Sequence, residues 1–104
     1  MLFVTTETIY GKEITESLGT VRGSTVRARN IGRDFFAGLK NIVGGEISEY
    51  TQLLADSREQ AIKRMLDDAK RLNADAIVNV RFTTSNVMQG AAEILAYGTA
   101  VKLK

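Results

Sequence analysis

One long amphipathic stretch constrains this chain more than anything else in it. Between residues 46 and 73, Ile47, Tyr50, Leu54, Ala61, Ile62, Met65, Leu66, Ala69 and Leu72 recur at helical spacing, with charged residues opposite them. That period predicts one helix over 46–73, about 42 Å long at 1.5 Å per residue. Glu59–Lys63 and Asp67–Arg71 are i,i+4 pairs in the favourable order, and Asn73 suits a left-handed C-cap. Ser57-Arg58-Glu59-Gln60 also matches a capping box, which would allow a break near Asp56. The stripe keeps its phase across that point, so a continuous helix is expected. A compact globule of this chain length is roughly 34 Å across, so such a helix would overhang its own domain.

The remainder reads mostly as β. Ile14, Leu18, Val21 and Val26 sit among Thr, Ser and Gly, with turn signals at Gly11-Lys12, Gly19 and Gly23-Ser24. Their irregular spacing predicts a strand with a bulge or bend near the glycines. Residues 31–43 switch to a helical period through Ile31, Phe35, Leu39, Ile42 and Val43, with Asn30 as N-cap and Gly44-Gly45 as the stop. Ala76, Val78, Val80 and Phe82 alternate with Asn79, Arg81 and Thr83, which predicts a strand with one buried face. Residues 94–101 carry no charge on either face, and Thr83–Ala92 is expected to connect these two strands. The uncharged last strand lacks the Lys or Pro that keep a free edge from pairing, and with the overhanging helix it predicts assembly; a kinked helix and a central last strand are the alternative. The expected fold is a single α+β domain over residues 1–104: a small, mainly antiparallel sheet with one shorter and one long helix.

Composition removes many chemistries at once. The 104 residues contain no His, Cys, Trp or Pro. Disulfides, thiolate or imidazole metal sites, Cys–His pairs and imidazole acid–base catalysis are therefore excluded. Lys and Arg number 14 against 12 Asp and Glu, a formal charge of +2, which argues against a nucleic-acid partner. Arg22, Arg27, Arg29 and Arg33 cluster around the start of the first helix, either as an anion site or as a solvated strand face. Gly38, Gly44 and Gly45 match no phosphate-loop spacing. The carboxylates Glu46, Glu49, Asp56, Asp67 and Asp68 could serve a hard metal, but their spacing fits a solvated helix face better. Ser17, Ser24, Ser48, Ser57 and Ser85 have no partner base and no elbow motif. No enzyme, cofactor or metal is expected from these residues. The N-terminus lacks the pattern of a signal peptide and no run is long enough to span a membrane, so the cytoplasm is the expected compartment.

Several strings together resemble a known family. Thr5-Thr6, Gly19-Thr20-Val21, Ala28-Arg29-Asn30-Ile31, Arg33-Asp34-Phe35-Phe36-Ala37-Gly38 and Ile42-Val43-Gly44-Gly45 occur in order, followed by Tyr50, Ala74-Asp75-Ala76-Ile77-Val78 and Gly98-Thr99-Ala100-Val101-Lys102. This pattern resembles the YbjQ-like family, small proteins of uncharacterised function labelled "putative heavy-metal-binding". The resemblance implies a compact β/α subunit, similar to the dodecin-type arrangement, that assembles into a ring-like homopentamer. It also implies that a functional surface or anion site would involve Asn30, Arg33, Asp34, Gly44, Gly45 and Tyr50. Family members often carry Cys where this chain has Leu18, and acidic residues in the region of Arg81, Thr83 and Ser85. The expectation is an oligomeric, non-enzymatic binding or scaffold protein whose ligand is unknown. A metal- or anion-binding module is the alternative. Arg33, one turn into the first helix, is expected to be structural and paired with Glu46 or Glu49.

Overall fold

The computed structural model describes the backbone of residues 1–27, 47–88 and 91–104, and the side chains of these except 27, 47–53, 86–88 and 91–92. The expected helix over 31–43, its Asn30 cap and its Gly44-Gly45 stop lie outside the described residues. Two short or bulged strands begin the chain, β1 (Leu2–Phe3) and β2 (Ile14–Arg27). A long helix α1 (Ile47–Arg71) follows, and β3 (Ala76–Met88) and β4 (Ala91–Leu103) finish it. The sheet order is β1-β3-β4-β2, with β1 parallel to β3 and the other pairs antiparallel.

The long helix is continuous through Asp56, because Leu54, Ala61, Met65 and Ala69 stay on one buried or half-buried stripe. Leu72 departs from that stripe and is exposed. Asn73 adopts φ 58° and ends the helix as a left-handed cap. Its N–H donates to the Lys70 carbonyl at 3.0 Å, and the Ala74 N–H donates to the Ala69 carbonyl at 3.2 Å, the paired bonds of a Schellman motif. Arg71 pairs with Asp68, three residues before it, rather than with the expected Asp67.

The helix runs antiparallel to β2 and lies on β2 and β4. Gly23 is the point of closest approach. A Cβ there would stand 2.3 Å from the Ala61 carbonyl oxygen and 2.3 Å from the Met65 nitrogen. Gly23-Ser24 is therefore no turn: the strand runs straight through, and the glycine lets the helix backbone touch it. The expected bulge near the glycines is found at Gly19, where φ is +106° and the register with β4 shifts between Ser17 and Gly19.

Two corrections concern the last strands. The strands do not stop at Thr83 and restart near Ala92. They pair as far as Met88 and Ala91, so most of the expected connection is ladder, and residues 89–90 lie outside the described residues. The expected single buried face through Ala76, Val78, Val80 and Phe82 is broken at Asn79. That residue has φ 54°, and the register with β4 shifts between Val78 and Arg81. Ala76 and Val78 consequently join Val101 on the face away from the helix, under Val4, Ile9, Ile14 and Leu103. Ile77 and Val80 join Val21, Met65, Ala69 and Ala96 under the helix.

The last strand is central, flanked by β3 and β2. The lack of charge over its residues 94–101 goes with a place between two neighbours, not with an unprotected edge. The helix does not overhang a globule either. At 25 residues it is about 37 Å long by its rise, and the 13-residue β4 spans about 43 Å. The principal extents of 54 × 26 × 16 Å describe a long, flat molecule instead.

Candidate functional site

The residues nominated by sequence fall mainly outside what is described. Asn30, Arg33, Asp34, Gly44 and Gly45 lie outside the described residues, as do Arg29 and Glu46. Tyr50 and Glu49 sit in the first turn of α1 with their side chains undescribed. Of the arginine cluster, Arg22 is the member with a described side chain, and it is exposed on β2.

Around Arg22 the helix is stitched to the outer edge of the sheet. The Arg22 N–H donates to Asp68 Oδ2 at 3.1 Å, and Arg64 Nη1 donates to the Ser24 carbonyl at 2.5 Å. These contacts satisfy main-chain groups that an edge strand would otherwise leave to water. Further in, the Thr25 hydroxyl donates to the Ser57 carbonyl at 3.1 Å. Thr20, Arg22, Asp68 and Arg71 line a shallow, open depression beside this seam. Its charged lining residues are two arginines and one aspartate, with the Arg71 guanidinium paired to Asp68. Among the described residues no group of three or more acidic side chains gathers into a cation site.

A second feature lies on the face away from the helix. The register places Arg22, Tyr97 and Arg81 side by side across β2, β4 and β3. Arg81 is anchored, with Nη1 donating to the Thr5 carbonyl at 2.7 Å and to the Val80 carbonyl at 2.8 Å. Tyr97 between them is 37% exposed. No motif flagged Tyr97, because an aromatic residue in an uncharged stretch reads as core. The positions at which the resemblance led to an expectation of metal-capable groups do not converge here. Leu18 packs against the helix-side core, whereas Arg81, Thr83 and Ser85 fall on the opposite face and are exposed.

A family model described as "Putative heavy-metal-binding" matches residues 1–104. The chain belongs to this YbjQ-like family. An Archaeoglobus fulgidus protein named "UPF0145 protein" is 61% identical over 104 residues, all of this chain and 96% of the relative. One of the same name from Methanosarcina acetivorans is 59% identical over 103 residues, covering 99% of this chain and 97% of that one. Among solved structures, a Pediococcus pentosaceus protein of unknown function assigned to the DUF74 family superposes with a TM-score of 0.66 at 16% identity, covering 100% of this chain and 98% of the other. That likeness speaks to the fold. Within it, several strings shared with YbjQ-like proteins have structural work to do. Thr6 accepts the Asn79 N–H at its carbonyl, Gly19 makes the bulge, and Asp75 Oδ2 accepts the Leu103 N–H at 2.8 Å. Among the described residues, no helix is long and apolar enough to cross a membrane.

Proposed function

We propose that this chain is a non-enzymatic binding or scaffold protein of the cytoplasm that acts as a homo-oligomer, a ring of five subunits. The observation that carries the reading is the uncovered far half of the sheet. Val26 is 54% exposed and Tyr97 37%, both on the face away from the helix, and the molecule is only 16 Å in its thinnest direction. A helix and a sheet in two layers leave one sheet face without a partner, and a second copy is the economical cover. The absence of His and Cys supports the non-enzymatic part. Native mass spectrometry and light scattering on a sizing column test it together. A mass near 57 kDa, five copies of the 11.4 kDa chain, is expected; a monomer at high concentration would refute it.

The alternative, a metal- or anion-binding module, is favoured in its anion form by the depression between Arg22 and Arg71. The same mass spectra read it, as a small anion retained on the native protein and lost in Arg71→Ala.

A further inference from the structure

We propose that the row Arg22–Tyr97–Arg81, on the sheet face away from the helix, binds a planar aromatic ring that carries a phosphate, as a nucleoside monophosphate does. The proposal goes beyond the oligomer reading and does not depend on it.

Main-chain direction fixes the spacing of the row. The Arg22 N–H leaves the sheet for Asp68, so Arg22 and Tyr97 form a pair without mutual hydrogen bonds. That is the closer arrangement of side chains, with about 4.5 Å between Cα atoms. Tyr97 therefore turns its own N–H and C=O toward β3 and pairs with Arg81 at about 5.5 Å. Two arginines thus stand about 10 Å apart with one aromatic residue between them.

Arg81 is the better prepared of the two. Its Nη1 donates both protons, to the Thr5 and Val80 carbonyls. This fixes the guanidinium plane and leaves its other edge, Nε–H beside Nη2–H, as a parallel pair of donors that no described residue occupies. A pair of this shape matches two oxygens of an oxyanion, and the side chain needs no further ordering to meet them.

Charge and shape narrow the ligand. Among the described residues the ion pairs are Arg71–Asp68 and Lys102–Asp75, and neither Arg22 nor Arg81 has a carboxylate partner. At the next positions of this face Ser24, Leu95 and Thr83 are uncharged, and Glu93 lies four residues along β4, about 14 Å from Tyr97. Two cations without an anion favour a group with more than one negative charge, which a phosphate monoester carries near neutral pH and a carboxylate does not. Between the arginines, the exposed Tyr97 ring with half-buried Leu95 beside it offers an apolar patch on which a flat ring can stack. An inorganic anion would leave that patch bare, and an uncharged ring would leave the guanidiniums unmatched. A second copy seated on Val26, four residues along β2 from Arg22, would stand beside the row and not over it.

Tyrosine ring signals in NMR spectra and calorimetry test this, with adenosine monophosphate, adenosine and inorganic phosphate as probes and mass measured on the same samples. The chain has three tyrosines, and one set of ring signals should shift with adenosine monophosphate and be missing in Tyr97→Phe. Adenosine monophosphate should bind at least about tenfold more tightly than adenosine or phosphate. Arg81→Gln should weaken it about tenfold, and Tyr97→Leu should reduce it to the level of phosphate. Lys63→Gln, on the exposed side of the helix, should leave it unchanged. Equal affinity for phosphate and adenosine monophosphate would overturn the proposal, as would an equal loss in Lys63→Gln. Loss in Arg71→Ala with Arg81→Gln unaffected would place the anion in the depression by Asp68 and overturn it too. A single-stranded oligonucleotide bound about tenfold more tightly still would make the partner a nucleic acid, again against the proposal. If a protein of oligomeric mass shows no shift at Tyr97 with any probe, assembly stands and this site falls. A monomer that binds as described supports the site and refutes assembly. Should Arg81→Gln not fold, the wild-type shifts and the Tyr97 variants decide the matter.

Discussion

Replacing Gly23 by Ala is the sharpest test of how helix and sheet are joined. The added methyl would meet three backbone atoms of the helix, the Ala61 oxygen and Met65 nitrogen at 2.3 Å and the Arg64 carbonyl carbon at 2.7 Å. None is the end of a flexible side chain, so relief requires moving the helix. Ordinary contact begins near 3.4 Å, so α1 must withdraw by about 1 Å. Overpacking of this kind costs about 1–3 kcal/mol by itself. The same withdrawal stretches the Arg22–Asp68, Arg64–Ser24 and Thr25–Ser57 hydrogen bonds, each worth about 1 kcal/mol net. These effects are coupled, and a total of about 3 kcal/mol is expected, or a Tm lower by roughly 12 °C or more for a chain of this size. Gly19→Ala is the comparison. It meets no atom within 4 Å but holds φ at +106°, so its cost is conformational alone, about 1–2 kcal/mol. Denaturant unfolding followed by circular dichroism, at fixed protein concentration, measures both. If Gly23→Ala unfolds within about 0.5 kcal/mol of wild type, the close approach does not set the geometry and the reasoning fails.

At the β3 bulge, Asn79→Gly should be neutral, whereas Asn79→Val should cost about 1–2 kcal/mol, because a β-branched residue resists φ near +54°; equal stability of the two variants in the same unfolding assay would contradict the bulge. Zinc, copper and cadmium are expected to bind weakly or not at all, given the lack of His and Cys and the separation of Leu18 from Arg81 on opposite faces; a stoichiometric site tighter than about 1 μM in calorimetry would refute this.

What the sequence made legible followed from strong periodicity. The long helix and its Asn73 cap are written in residue types that leave few alternatives, and the α+β class follows from placing that helix beside alternating strands. The parts that stayed hidden depend on single backbone choices. Asn79 sits in a clean apolar–polar alternation, so nothing local distinguishes a bulge from a polar outward residue. Gly23 looks like turn punctuation beside Ser24, and only the helix lying on it gives the glycine its purpose. Strand order has no local signature, so the uncharged run 94–101 read as a pairing edge although β4 lies at the centre. The nominated surface around Asn30, Arg33, Asp34, Gly44 and Gly45 lies outside the described residues, and what did emerge, Asp68 on the edge of β2 and Tyr97 between two arginines, carries no motif.

The turn of backbone at Asn79 makes the two faces of β3 depend on one residue's backbone conformation. One strand serves two cores on opposite sides of the sheet, and the extra residue in the ladder sets which side chains beyond Val78 reach each of them. Swapping Val80 for another aliphatic residue would leave that arrangement in place. Straightening the ladder with every residue kept would instead turn the rest of β3 over, exposing Val80 and driving the Arg81 guanidinium beneath the helix. Deleting Asn79 would do neither, because Val80 would then stand opposite Gly98 in a regular ladder and Arg81 would stay opposite Tyr97. Among descendants of this sequence, loss of the residue at 79 should therefore be tolerated where its replacement by a residue that resists positive φ is not.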